Sequence, residues 1–207
     1  MMSRPDTKNG RTPRVGARRR AHLFLWAFLL FPMKVRAADV SVRIDPQPKA
    51  TRVEGEFHTS VSPELVWEVV SDYDHIHDFV HSMVASRSTL DSLGVRRVEQ
   101  TAAGGLFVFH RRVNVLLELD EERGHRIRFR DVLGKDFRRY NGEWLIESDS
   151  TGTRVRYALD ADPRAPLPRT LFRGMLKDAA EDLLGEVRTE ILRRAAALEA
   201  AREAGTR

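Results

Sequence analysis

Apolar and polar positions change period along this chain, and each change marks an element. In TRVEGEFHTSV, residues 51–61, Val53, Phe57 and Val61 share one parity while Glu54, Glu56 and His58 share the other, which predicts a half-buried strand. SPELVWEVVSD follows at helical spacing. Ser62 stands at an N-cap position, Pro63 suits the first helical residue, and Val66, Trp67 and Val70 make an apolar stripe. A second short helix is predicted from Tyr73 to Met83. The period then returns to two in Val84–Leu90, Val95–Thr101, Leu106–Asp120, His125–Val132, Phe137–Glu147 and Thr153–Ala161. Turn signals separate these segments at Ser92-Leu93-Gly94, Gly104-Gly105, Glu122-Arg123-Gly124, Leu133-Gly134 and Ser150-Thr151-Gly152. Sequential strands joined by short turns predict an antiparallel meander.

Asp160 to Pro168, DADPRAPLP, is a proline-punctuated connector. Beyond it, Arg169 to about Ala201 reads as one long helix whose apolar face carries Phe172, Met175, Leu176, Ala179, Leu183, Val187, Leu192 and Leu198. Gly174 and Gly185 fall on its polar side. The predicted order, β-α-α-β6-α, defines an α+β fold, because an antiparallel sheet with one bare apolar face needs a cover and the long helix supplies it. Residues 38–50, with prolines at 46 and 48, read as an extended arm before this domain (51–201), and residues 202–207 as a tail.

Charge changes the picture at the start of the chain. The 207 residues carry a net charge of +5, which by itself suggests nucleic acid. Nine Lys/Arg and one acid lie in residues 1–37, however, leaving 26 basic against 29 acidic residues in the remainder, so a nucleic-acid partner is excluded. The leader has its own layout: Arg18, Arg19 and Arg20, then the 13-residue apolar run Ala21–Met33, then Val35 and Ala37 three and one residues before a cut ahead of Ala38. This is the pattern of a secretory signal peptide over residues 1–37, and it implies a periplasmic or secreted protein. Lys34 and Arg36 fit a cleavage region poorly, so an uncleaved membrane anchor is the alternative. The chain has no cysteine, which removes disulfides, thiolate metal sites and a cysteine nucleophile.

Three stretches together resemble the START-like (helix-grip) superfamily of polyketide cyclases, lipid-transfer domains and coenzyme Q-binding proteins. They are VSPELVWEVVSDYDHIHDFVHSM, NGEWLIESDSTGTRVRYALDADPRAPLP and the long terminal helix. The first carries Pro63, Glu64, Val66, Trp67, Asp72, Tyr73 and Phe79; the second carries Gly142, Trp144, Leu145, Gly152, Thr153, Val155 and Tyr157. The resemblance covers about Thr51 to Arg194. It implies a curved sheet wrapped on the C-terminal helix, with a cavity between them for a hydrophobic small molecule.

Parity suggests what lines that cavity. In LFVFHRRVNVLLELD, Phe107, Phe109, Arg111 and Val113 share a face with Val115, Leu117 and Leu119. A buried unpaired charge is expensive, so Arg111 either enters the cavity and pairs with an acid such as Asp131, or is turned outward by a β-bulge. Tyr140 and Trp144 share a parity, Tyr157 lies on that of the next strand, and Phe172, Met175 and Leu176 add an apolar wall from the helix. His75, His77 and His81 fall within seven positions, but two imidazoles without a third ligand make a poor zinc site, so they read as solvated or capping residues. No metal or cofactor is expected. Ser60, Ser62 and His58 lack a glycine-framed nucleophile turn, which favours a carrier of a lipid, quinone or polyketide-like guest, with transient membrane contact. The alternative is a cyclase, aromatase or hydrolase using Arg111, Asp131, Tyr140 and His110. The alanine-rich end, RRAAALEAAREAGTR, is either a dimer contact or a frayed helix.

Overall fold

A computed structural model describes residues 40–103 and 112–205, within the unit Val35–Arg207. Its elements are β1 (Val40–Pro46), β2 (Thr51–Thr59), α1 (Pro63–Val70), α2 (Ile76–Phe79), β3 (Met83–Leu90), β4 (Arg96–Ala102), β5 (Val113–Glu122), β6 (Arg126–Asp131), β7 (Phe137–Asp149), β8 (Gly152–Pro163) and α3 (Arg169–Gly205). Eight described strands form one antiparallel sheet in the order β1-β2-β8-β7-β6-β5-β4-β3. The meander from β3 to β8 follows chain order, and β2 then pairs with β8. This is the α+β helix-grip architecture that the periodicity and the resemblance led us to expect.

The segment expected as an unpaired arm is instead the edge strand β1, in register with β2 from Val40↔Phe57 to Pro46↔Thr51. Val40, Val42 and Ile44 are half-buried and alternate with exposed Ser41, Arg43 and Asp45. Pro46 ends the strand and Pro48 lies in the turn, positions where a missing N–H does not interrupt a ladder.

The second helix is a single turn rather than a run from Tyr73 to Met83. The segment before it is held in turns by its own carboxylates. Asp72 accepts from His75 Nδ1 at 2.6 Å, and Asp74 accepts from the Ser88 backbone N–H at 2.6 Å and its hydroxyl at 2.7 Å. Ser62 does sit at the N-cap of α1, but its side chain makes no capping bond to the backbone; its hydroxyl interacts with the Glu64 carboxylate.

The buried row of α3 runs Phe172, Leu176, Ala180, Leu184, Val187, Ile191, with Met175 beside it. Ala179 and Leu183 are only half-buried, and Leu192 and Leu198 face solvent, which corrects the expected face. Contact with β2 explains the difference. A Cβ on Gly55 would lie 2.3 Å from Leu184 Cδ1, so the helix seats where that strand has no side chain, and Leu184 fixes its rotation. Val53, Phe57, Val155, Leu159 and Ala161 complete this part of the core.

An aromatic wall on the inner face of the sheet

Register identifies which side chains share the inner face. Gly55 pairs with Tyr157, Tyr157 with Trp144, and Trp144 with Ile127. Tyr140, opposite Ala161, and Phe129, opposite Gly142, therefore lie on the same side as the residues under α3. The helix backbones do not cover this face evenly. The α3 backbone comes close to β1, β2, α1 and α2, and the α1 backbone to β7 and β8, while β4, β5 and β6 stand clear of all the helix backbones.

Five aromatic rings run across the inner face of β6, β7 and β8. Phe137 lies 4.7 Å from Tyr140, Tyr140 6.1 Å from Phe129, Phe129 6.3 Å from Tyr157, and Tyr157 4.6 Å from Trp144, centroid to centroid. These are separations at which tilted and offset pairs attract. Gly142 makes room for them: a Cβ there would meet Phe129 Cζ at 2.7 Å and the Ala158 carbonyl oxygen at 2.1 Å. Tyr157 is buried, whereas Tyr140 and Trp144 keep part of their surface open.

The polar groups in this wall are two phenols. Burial, helped by the Asp131 carboxylate, pushes the Tyr140 hydroxyl up to about 12, while its hydrogen bond with Tyr157 acts the other way. Tyr157 is driven well above the ordinary phenol range by burial first, then by Tyr140. Each phenol both donates and accepts, so Tyr140, the more open of the two, is a polar group on an otherwise apolar wall. Both phenols stay neutral across the physiological range.

Asp131 uses both carboxylate oxygens on backbone. Oδ1 accepts from Leu116 and Leu133 and Oδ2 from Gly134, each at 3.0 Å. It shapes the β6–β7 turn and lies near Tyr140 without being a free acid. Val113 packs half-buried against the core, and Phe172, Met175 and Leu176 are buried on α3. Phe107, Phe109, His110 and Arg111 lie outside the described residues, and with them the Arg111–Asp131 pairing and its bulge alternative.

Phe129 and Phe137 belong to the wall, although parity alone did not select them. Phe129 had the right parity but gained significance only from its cross-strand neighbours. A register shift between Phe137 and Arg139 hides Phe137, by placing an odd-numbered residue on the face of even-numbered Tyr140. Sequence reasoning also missed a polar clasp on the inner face beside the α1–α2 corner. There the Tyr73 hydroxyl donates to Glu121 Oε1, Arg96 Nε donates to Glu121 Oε2 at 3.2 Å, and the Arg96 guanidinium lies 6.0 Å from the Tyr73 ring. Burial and this bond raise the Tyr73 phenol far above its usual range.

The three histidines separate, each onto a different carboxylate: His75 onto Asp72, His77 onto Asp78 at 3.5 Å, and His81 onto Glu186 of α3. His81 also donates its backbone N–H to Glu186 at 3.1 Å. Among the described residues no three His, Asp or Glu side chains are grouped to hold a metal ion.

Residues 18–197 match the family described as polyketide cyclase / dehydrase and lipid transport. No curated protein matches the sequence. Among solved structures, TTHA0849 from Thermus thermophilus superposes with a TM-score of 0.61 at 22% identity, over 69% of this chain and 98% of that one. The Zhui aromatase/cyclase from Streptomyces sp. R1128 gives 0.59 at 19%, over 75% and 96%. A STAR-related lipid transfer protein from Xanthomonas axonopodis gives 0.61 at 17%, over 74% and 94%. At these identities the likeness is one of fold, the START-like helix-grip fold, and the family match extends it to sequence: the chain belongs to the polyketide cyclase / dehydrase and lipid transport family.

Proposed function

We propose that the protein binds and carries one hydrophobic small molecule bearing a carbonyl or similar acceptor, of the lipid, quinone or polyketide kind, against the aromatic wall. The observation that carries this reading is the Tyr140 hydroxyl, a neutral phenol able to donate or accept, set among aromatic rings beside Tyr157. Rings supply apolar area, and one placed donor fixes orientation. The family description, which joins polyketide cyclases with lipid transport, supports the same class of guest.

An enzyme of the cyclase or aromatase kind is the second reading, favoured by the resemblance in fold to Zhui, which is described as an aromatase/cyclase. A general acid or base works best with a pKa near the working pH. Burial moves both phenols away from it, so they suit hydrogen bonding to a bound guest better than proton transfer. The decisive measurement is mass spectrometry of organic extracts from the purified protein. A stoichiometric lipid or quinone is expected; turnover of a poly-β-keto substrate with no retained guest would favour the enzyme instead.

We also infer export. The leader pattern supports it, and a cut before Ala38 would leave β1, which begins at Val40, intact. Among the described residues no helix is long and apolar enough to cross a membrane. N-terminal sequencing of the protein from the soluble envelope fraction should begin at Ala38; a retained leader would support the anchor.

A further inference from the structure

Beyond the Phe137 end of the aromatic wall, and lined by none of its five rings, a recess lies where the β1–β2 turn, the start of β7, the β8–α3 connector and the first turns of α3 meet. It encloses about 270 Å³ and presents Lys49, Arg138, Arg164, Arg169 and Arg173 against the single carboxylate of Asp162. Asp162 is engaged by Arg138 at 3.3 Å. Arg164 Nε donates to the Gly134 carbonyl at 2.7 Å, and Arg169 donates to the Pro48 carbonyl at 3.3 Å, so these two cations are positioned by neutral groups that leave their charge uncompensated. Arg173 Nε is buried without a hydrogen-bond partner.

Arg169 and Arg173 are four residues apart, on one face of the first turns of α3, which contain no acid. The N-terminal end of a helix is its positive end, so cations there are unfavourable unless an anion joins them. A concave site with several fixed guanidinium groups, one ammonium and a helix N-terminus matches phosphate geometry. Val132, Leu133 and Leu171 are exposed on the turn and helix next to it, and Arg164 ties that turn to the connector.

We propose that this recess is an oxyanion site for phosphate, taken either as the free ion or as the phosphodiester of an anionic lipid headgroup. It rests on residues separate from the aromatic wall, and the two can fail independently.

The test compares the full chain with Lys49→Gln/Arg173→Gln, and with Arg87→Gln/Arg112→Gln, which removes equal charge from exposed positions elsewhere. Circular dichroism verifies folding, and Lys49→Gln alone, in an exposed turn, serves if the double variant unfolds. Calorimetry with inorganic phosphate tests the free ion. Flotation with phosphatidylcholine vesicles, with and without phosphatidylglycerol, tests the lipid. Saturable phosphate binding weakened at least tenfold only in the recess variant supports the site with a free ion. Selective loss of phosphatidylglycerol-dependent flotation supports it with a lipid. Binding in neither assay, or equal loss in recess and control variants, overturns it.

Discussion

At the scale of single residues, the glycines separate by what surrounds them. Gly142 faces a ring and a carbonyl oxygen at distances no Cβ tolerates. Gly142→Ala should therefore lower unfolding free energy by about 2–3 kcal/mol, as overpacking does, and disturb the wall with it. Gly174 has nothing within 4 Å of a Cβ and lies exposed on α3, so Gly174→Ala should stabilise by about 1 kcal/mol through helix propensity. Urea denaturation of the pair measures both, and equal effects would contradict this account. Tyr140→Phe keeps the ring and removes the donor. It should weaken a carbonyl-bearing guest by roughly tenfold, equivalent to about 1.4 kcal/mol, and leave a pure hydrocarbon probe unaffected, as read from intrinsic tryptophan fluorescence.

Glu190 is a buried carboxylate whose ionisation bears on stability. Its side chain, 8% exposed on α3, is paired by Arg193 and Arg194, and Arg194 also reaches Asp72 at 2.7 Å. Arg193 first, and Arg194 after it, hold the carboxyl at about 2 against the desolvation that would raise it. A depressed folded-state value means that its stabilisation is full above the ordinary carboxylate value of 4.5 and is lost as pH falls toward 2. Glu190→Gln should reduce stability by about 1–3 kcal/mol at neutral pH and flatten the acid limb of a stability profile between those values. His75 runs the other way. Asp72 raises it, so its contribution is present below pH 6.5 and fades as pH climbs past the raised value.

Among elements, α3 divides into two parts of unlike importance. Up to Ile191 it seals the core and Arg194 ties it to Asp72; beyond that the helix overhangs, with Leu198 47% exposed. Leu184→Ala should cost about 2–5 kcal/mol, because that side chain fills the space above Gly55. Truncation after Arg194 should change denaturant stability by less than about 0.5 kcal/mol. A large loss on truncation would mean that the overhang is docked, as the dimer-contact reading of the alanine-rich end requires. Helicity there was legible from the alanine, leucine and charged composition. Which stripe is buried was not, because the contact with β2 sets the rotation and no spacing within the helix encodes it.

For the whole molecule, the sheet's coil gives the inner face its use. The meander brings residues nearly thirty positions apart, Phe129 and Tyr157, into one row, and helices approach only part of that surface. The aromatic wall and the cationic recess occupy different regions, one on the inner face and one at the end near the start of α3. A guest on the wall and a phosphate in the recess would therefore bind without competing.

The sequence by itself determined the order of the elements from β2 onward, the antiparallel meander, the closing helix and the parity that places Tyr140, Trp144 and Tyr157 on an apolar face. Those follow from local periodicity and turn chemistry, which near neighbours in the chain encode. Only the tertiary structure decided that the arm pairs as β1, that His81 reaches Glu186 of α3, and that Phe137 joins the wall. It also brought cations from four segments into one recess. Each of these depends on register, a bulge or a meeting of distant segments, and such contacts leave no periodic mark on the chain that makes them.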